Sequence, residues 1–420
     1  MLSRTLMILL RITRQLWVRV VVIAFLALLS ALLAPLVAPV VPEPLAERLG
    51  QDAVMPVLTI LASGMLAVTT FSLNVMVSAY RAASAQATPR AYRVLLDDTT
   101  TQTVLATFVG AFIYSLTAII LFRSGIYGAY GPAASVTVFG FTVVVVALII
   151  LAILRWIEHL SKLGSMDHTL DSIDARTRSA LSARAVRPAL GGCPMRDPAD
   201  VPAGASPVPA DRSGYVQFID MGRIQESMAA EDATAYVATP PGRFVVKGWP
   251  LAHVTALDPE AARGLASCFT LGSTRTFEQD ARFGLVVFSE IGARALSPGV
   301  NDPGTSVDVV HRVQKLLWES GAPERRDDEI CYPDVHVPEV TTADLVSDAF
   351  GDLARDGADS ALVSSSLLRA LGELSAHHDA QLSRAAEGMA GHLRELAAGA
   401  LKEDAALREA LGRTRLSPSP

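Results

Sequence analysis

The stretch from Arg275 to Ser306 holds the densest run of residues able to do acid–base or ionic chemistry. It begins Arg275-Thr-Phe-Glu-Gln-Asp280, continues through Arg282, Glu290 and Arg294, and closes on Ser297-Pro-Gly-Val-Asn-Asp302-Pro303. Glu278, Asp280 and Glu290 are of the type that serves general acid–base catalysis. Carboxylates interleaved with arginines at helical spacing are more often structural ion pairs. No complete catalytic motif accompanies them, so no catalytic residue is assigned, and a membrane-bound enzyme is the least favoured reading. The same residues suit a coupling or ligand site made of Arg275, Glu278, Arg282, Glu290, Arg294, Asn301 and Asp302, with Arg90 from a distant loop.

A helix pair must position these groups. Thr276-Phe-Glu-Gln279 fits a capping box, which predicts a helix beginning there. Glu278 and Arg282 are then four apart, as are Glu290 and Arg294, so each pair meets on the helix surface. Ser297-Pro298-Gly299 stops the helix. Asp302 caps a second one with Pro303 at its first position. Arg275, Glu278, Arg282, Glu290, Arg294 and Asp302 are expected to be at least partly buried.

The 420 residues suggest two or more domains. Mean hydropathy is +0.35, and its source is local: apolar runs crowd the first 160 residues. Four runs are long enough to cross a bilayer, at Val18–Val40, Val54–Tyr80, Thr103–Phe122 and Val136–Leu154. The first is longer than a secretory signal core and has no clean small-residue cleavage site, so it is read as retained. Arg4, Arg11 and Arg14 precede the first run and Arg19 sits at its start, Arg81, Arg90 and Arg93 follow the second, and Arg155 and Lys162 follow the fourth. The opposite loops hold Arg48 and Arg123. The positive-inside rule then puts both termini in the cytoplasm of a multi-pass protein in a bacterial inner membrane.

The second run carries a stripe. Thr59, Ser63, Thr70, Asn74, Ser78 and Arg81 share an arc of about 100° at helical periodicity. Two readings stay open. The stripe packs helices through small and hydroxylated residues, or it lines a hydrated path. No charged residue sits at mid-membrane, which weighs against a proton relay. The fourth run is almost wholly apolar, interrupted by Thr137, Gly140 and Thr142.

Beyond the membrane runs the chain divides further. Residues 161–187 read as a helical extension of the fourth run, and Trp156, His159, Leu163, Met166, Leu170, Ile173, Thr177 and Ala180 form a heptad seam across the two, able to pair subunits or pack on the domain. Residues 188–211, rich in Pro, Gly and Ala, read as a flexible linker. Residues 212–257 read as a small β module, with strands at Tyr215–Ile219, Ala235–Ala238, Phe244–Val246 and Leu251–Val254. Its glycine punctuation is similar to half of a lipoyl- or biotinyl-type barrel, but the cofactor-bearing lysine has no counterpart and no cofactor is assigned. Residues 258–415 read as mainly helical, with a strand at Val335–Val337 and a disordered tail from Ser417. The fold class is thus an α-helical membrane domain of four transmembrane helices followed by a cytoplasmic α+β domain with a small β module and a helical C-terminal part.

Cys193, Cys268 and Cys331 are odd in number and far apart, neither a disulfide set nor a zinc site. His159 and His168 read as packed or solvated, and His377-His378 as a surface patch, because neighbouring helical residues chelate poorly. No metal is assigned. A formal net charge of −6 argues against nucleic acid as a partner.

The run from Arg275 to Pro303, with Phe71-Ser72, Ser84, Pro89-Arg90 and Gly242-Arg-Phe-Val-Val-Lys-Gly-Trp-Pro-Leu251, resembles the DUF2254 family of predicted bacterial membrane proteins. The resemblance implies a multi-pass membrane protein with a soluble C-terminal half, and it brings no activity with it. Two functions fit the residues best. One is an oligomeric ion channel or pore with a cytoplasmic regulatory domain, its partners the lipid bilayer, further copies of the chain and a small ion. The other is a membrane-anchored sensor or scaffold whose cytoplasmic domain binds a ligand or partner.

Overall fold

The computed structural model describes residues 16–37, 51–86, 88–96, 99–126, 132–256, 263–320 and 330–400. The chain divides into a helical unit within residues 7–169 and a mixed unit from residue 170 onward, which also takes in the segment 87–91.

In the helical unit, α1 (Leu16–Val37) is followed by α2 (Gln51–Gln86), α3 (Pro89–Leu96), α4 (Thr99–Arg123) and α5 (Pro132–Lys162). Among the described residues three stretches are long and apolar enough to cross a membrane: Val54–Arg81, Thr100–Arg123 and Ser135–Lys162. The expected first span coincides with α1 through Val37, and its last residues, 38–40, lie outside the described residues. Helix α4 is the centre of this unit and packs on α1, α2 and α5. Gly110 makes the first approach close, since a Cβ there would overlap Ile23 of α1. Polar side chains of α4 find partners inside the unit, as a low-dielectric environment demands. The Tyr114 hydroxyl donates to the Val138 carbonyl (3.0 Å) and lies 3.1 Å from Thr142 Oγ1, and Thr101 Oγ1 lies 2.9 Å from His159 Nε2.

The helix after α5 does not run on unbroken. It ends at Lys162, turns through Gly164 at φ +86°, and restarts as α6 (Met166–Val186). The heptad seam is therefore interrupted. Its later members Leu170, Ile173, Thr177 and Ala180 are buried within the mixed unit and are not free to pair subunits. Gly284 is required there, because a Cβ at that position would overlap the Thr177 side chain.

The mixed unit contains β1 (Gly192–Met195), β2 (Ser206–Pro209), β3 (Gly214–Ile219), α7 (Met221–Ala230), β4 (Ala235–Val237), β5 (Phe244–Val245), β6 (Pro250–Val254), β7 (Phe269–Gly272), α8 (Phe283–Ala295), α9 (Pro303–Ser320), β8 (Tyr332–Pro338), α10 (Thr342–Gly357), α11 (Ala361–Ser375) and α12 (Ala380–Ala400). One sheet has the order β1-β8-β4-β6-β2, with β8 parallel to both β1 and β4 and the remaining pairs antiparallel. A second, antiparallel sheet has the order β5-β3-β7. Val216, Ile219, Val237, Leu251 and Val335 form their common core, closed by Ile224 and Met228 of α7.

Two expectations change here. Residues 188–211 are not a linker, since they supply β1 and β2. A separate β module over 212–257 does not exist either, because its strands are divided between the two sheets and completed by β1, β2, β7 and β8. Composition misleads in this region: Pro207 and Pro209 sit in β2, a sheet edge where a missing N–H is tolerated.

The helices α8 to α12 pack on one another, α8 against α9 and α10, and α12 against α10 and α11. Leu285, Phe288, Phe350, Leu353 and Leu371 are fully buried along them. Thr341 and Asp344 form a true capping box at the start of α10.

Candidate functional site

Two places gather the polar residues. The first is the outer face of α2. Thr59, Ser63, Thr70, Asn74, Ser78 and Arg81 are all exposed, while Val54, Leu58, Met65, Thr69 and Ser72 face inward. The stripe thus does not pack α2 within its own chain. Of the most apolar part of α2 only 22% is buried, against 56% for α4, so most of this helix awaits other surroundings. Thr59, Ser63 and Thr70 turn their hydroxyls back onto the carbonyls of Met55, Thr59 and Leu66 at 2.9, 3.0 and 3.0 Å. That satisfies a hydroxyl without any partner helix. Asn74 and Ser78 have no such bond among the described residues. A primary amide in hydrocarbon costs several kcal/mol, roughly one lost hydrogen bond per group. Exposed Leu66, Phe71 and Val77 flank the stripe. The outward face of α5 makes the contrast: Val143, Val144, Leu148, Ile150, Leu151 and Leu154 need nothing but lipid.

The second place is the charged stretch Arg275–Asp302 and the cleft beside it. Helix α8 begins at Phe283, not at Thr276, so Glu278 and Arg282 are not on one helix. The reason is a set of interactions stronger than a capping box. Arg275 grips Asp280 with two N–H groups at 2.8 and 3.0 Å, and the backbone N–H of Arg282 donates to the same carboxylate at 3.2 Å. Gln279 donates to and accepts from the backbone of Ile219 at 3.0 and 2.8 Å, clasping the end of β3. These bonds hold 275–282 as turns. Burial pushes the Asp280 carboxyl above its ordinary range, opposed by Arg275 and by the Arg282 N–H.

Arg282 reaches α10, bonding Asp348 at 2.5 and 2.9 Å and Asp344 at 3.3 Å. Asp348 is the larger cause that raises the guanidinium above its usual value. Glu290 pairs with Arg90, and both belong to the mixed unit. Arg294 is partly buried. Glu278 and Asp302 are exposed, contrary to expectation. Asn301 adopts φ +50°, a conformation asparagine tolerates better than most residues, and its N–H closes the turn onto Ser297. Asp302 caps α9 as predicted, accepting from the Thr305 N–H (3.1 Å) and hydroxyl (2.6 Å), and these bonds lower its pKa. Asn301 and Asp302 thereby build the turn between α8 and α9.

Arg275, Glu278 and Arg282 do line a cleft of about 1100 Å³, whereas Glu290, Arg294, Asn301 and Asp302 do not. The other contributors escaped sequence reading. They are Arg184 at the end of α6, Arg187, Arg223 at the start of α7, and Arg243, with Phe244 and Tyr332 as apolar walls. Arg184 bonds the Val340 carbonyl through two nitrogens at 3.2 and 2.6 Å, and burial lowers its pKa. Ala189 and Leu190, also on the wall, are held at φ +49° and +59°. Such backbone strain in non-glycine residues costs about 1–3 kcal/mol each and clusters at functional sites. Arg184 and Arg187 are three apart, but Arg223 and Arg243 lie in distant stretches, and only Arg243 is in a stretch the sequence had marked, Gly242-Arg-Phe244.

Among the described residues no group of His, Cys, Asp and Glu could hold a metal ion. The expected His377-His378 surface patch holds only for the exposed His378: His377 is buried, its Nδ1 accepts from the Asp379 N–H at 3.0 Å, and its ring meets Trp318 at 4.7 Å.

The family model described as "Predicted membrane protein (DUF2254)" matches residues 13–373. Uncharacterized proteins of Mycobacterium tuberculosis (strain ATCC 25618 / H37Rv) and Mycobacterium bovis are each 31% identical over 286 residues, covering 64% of this chain and 54% of the relative. The chain therefore spans about half the length of the relatives it matches. No solved structure matches it.

Proposed function

We propose that this chain, which belongs to the DUF2254 family of predicted membrane proteins, assembles with further copies of itself so that the α2 stripes face one another around a hydrated, ion-conducting path. One observation carries the reading. Asn74, Ser78 and Arg81 lie on the exposed face of a membrane-spanning helix and have no partner among the described residues. A polar face inside a bilayer needs either protein or water against it. In this reading α1 is a fourth span, and the arginine distribution supports both termini and the mixed unit lying in the cytoplasm of a bacterial inner membrane. Thiol labelling of Ser3→Cys from outside intact cells should fail; labelling would invert this orientation.

Arg81 follows the stripe at its cytoplasmic end, and a ring of such arginines favours anions. Asp97 and Asp98 follow Arg81 in the same inter-span segment of the sequence and offset its charge, so the preference is small. Reconstitution into liposomes with an ion-flux readout tests the function. Asn74→Leu should lower flux, and Arg81→Glu should shift selectivity toward cations. A wild-type protein that carries no flux at any applied potential or tension would remove the channel.

The cleft favours a second reading, a membrane-anchored sensor whose mixed unit binds a ligand. The Arg90–Glu290 pair then matters most, because Arg90 follows α2 by four residues in the chain and its partner lies on α8.

A further inference from the structure

The arginines of the cleft are unequally matched to its acids. Six guanidiniums and six carboxylates line it. Asp280 is taken by Arg275, Asp344 by Arg282, and Glu339 by Arg196 at 3.7 Å. Asp220 caps α7, accepting from the Arg223 N–H. Arg184 is spent on a carbonyl and keeps its charge. Arg187, Arg223 and Arg243 are exposed and hold no ion pair among the described residues. Arg184, Arg187, Arg223 and Arg243 thus border one space without an ion pair among the described residues, although Glu226 and Glu278 line it too.

We propose that this cleft binds an organic phosphate of about nucleotide size, its phosphate groups held by Arg187, Arg223 and Arg243 and its apolar part set against Phe244 and Tyr332. Guanidinium forks match phosphate oxygens in pairs and gain most where several converge on one dianion. The volume of about 1100 Å³ lies just above the usual range for small-molecule sites and far exceeds a free phosphate ion. Phe244 is 55% exposed and braced edge-on by Tyr215 at 5.2 Å, a ready platform for a flat ligand. Ala189 and Leu190 hold their left-handed backbone on the same wall, where they also pack against the core.

None of these residues lies in α2, so liposome flux and ligand binding report on different parts of the chain. The test is titration calorimetry on the full chain in detergent with ATP, inorganic pyrophosphate and short-chain phosphatidic acid as probes. Arg187→Glu and Arg243→Glu should each weaken binding about tenfold or more, the scale of one charge-assisted hydrogen bond. Neither arginine holds an ion pair, so unchanged melting should confirm the fold. Arg369→Glu makes the same charge change on an exposed site of α11 away from the cleft and should leave binding within about twofold. Binding of ATP alone identifies a soluble nucleotide, and binding of phosphatidic acid alone identifies a lipid headgroup. The proposal is overturned if no probe binds the wild type at millimolar concentration, or if the two cleft variants bind as the wild type does.

Discussion

Replacing Arg275 by leucine should cost far more than its position in a turn suggests. Asp280 is only 3% exposed, and Arg275 supplies two of the three hydrogen bonds given to its carboxylate by this segment. Gly242 stands so close that a Cβ there would overlap the carboxylate, so the group has no room to turn toward water. Without Arg275 the charge stays buried with the Arg282 N–H as its main support. Breaking a buried pair in this way costs about 3–5 kcal/mol. At about 2–4 °C per kcal/mol for a unit of this size, melting of the full chain in detergent should fall by roughly 6–20 °C. The loss should depend on pH, and its sign follows from linkage. Burial already raises the Asp280 pKa, and loss of the guanidinium raises it further. An acid with a raised folded pKa loses stability as pH climbs from its unfolded value toward its folded one. The deficit of Arg275→Leu should therefore be larger at about pH 8 than at about pH 5. A shift below about 2 °C, or a deficit independent of pH, would refute the assignment of Asp280 as a buried, Arg275-dependent charge.

Gly284→Ala should destabilise by about 1–3 kcal/mol through overlap with Thr177, and adding Thr177→Ala should recover part of the loss; equal melting of single and double variants would contradict the close approach. His377 is held below its ordinary pKa of 6.5 by burial first and by His378 second. The unfolded chain then takes up the proton first, so stability should fall as pH drops through 6.5 toward the lowered folded value. His377→Gln should flatten that slope between about pH 7.5 and about pH 5.5, and an unchanged slope would assign it to other groups.

The parts of the fold readable in sequence were those fixed by local chemistry. Apolar length gave Val54–Tyr80 within α2, Thr103–Phe122 within α4 and Val136–Leu154 within α5. Asp302-Pro303 gave the start of α9 because a cap and a fixed φ need no tertiary partner. Thr276 failed because Asp280, Gln279 and Ile219 compete for the same backbone, and β3 lies some sixty residues away in sequence. Residues 188–211 failed because two short strands at sheet positions β1 and β2 carry little periodicity of their own. The stripe of α2 was legible at helical spacing, but its outward direction was not, since that depends on which face α4 occupies. The cleft arginines were invisible for a related reason: the pair Arg184 and Arg187 around the end of α6, Arg223 and Arg243 come from distant stretches and line one cleft only in the folded unit.

Cysteine cross-linking in native membranes tests the α2 face most directly. In a chain with Cys193, Cys268 and Cys331 replaced, Asn74→Cys and Ser78→Cys should each form disulfide-linked copies on mild oxidation. Leu151→Cys, on the exposed apolar face of α5, should stay monomeric. Monomers at positions 74 and 78, or linkage at 151 as strong as at 74, would mean that copies do not meet through the polar stripe.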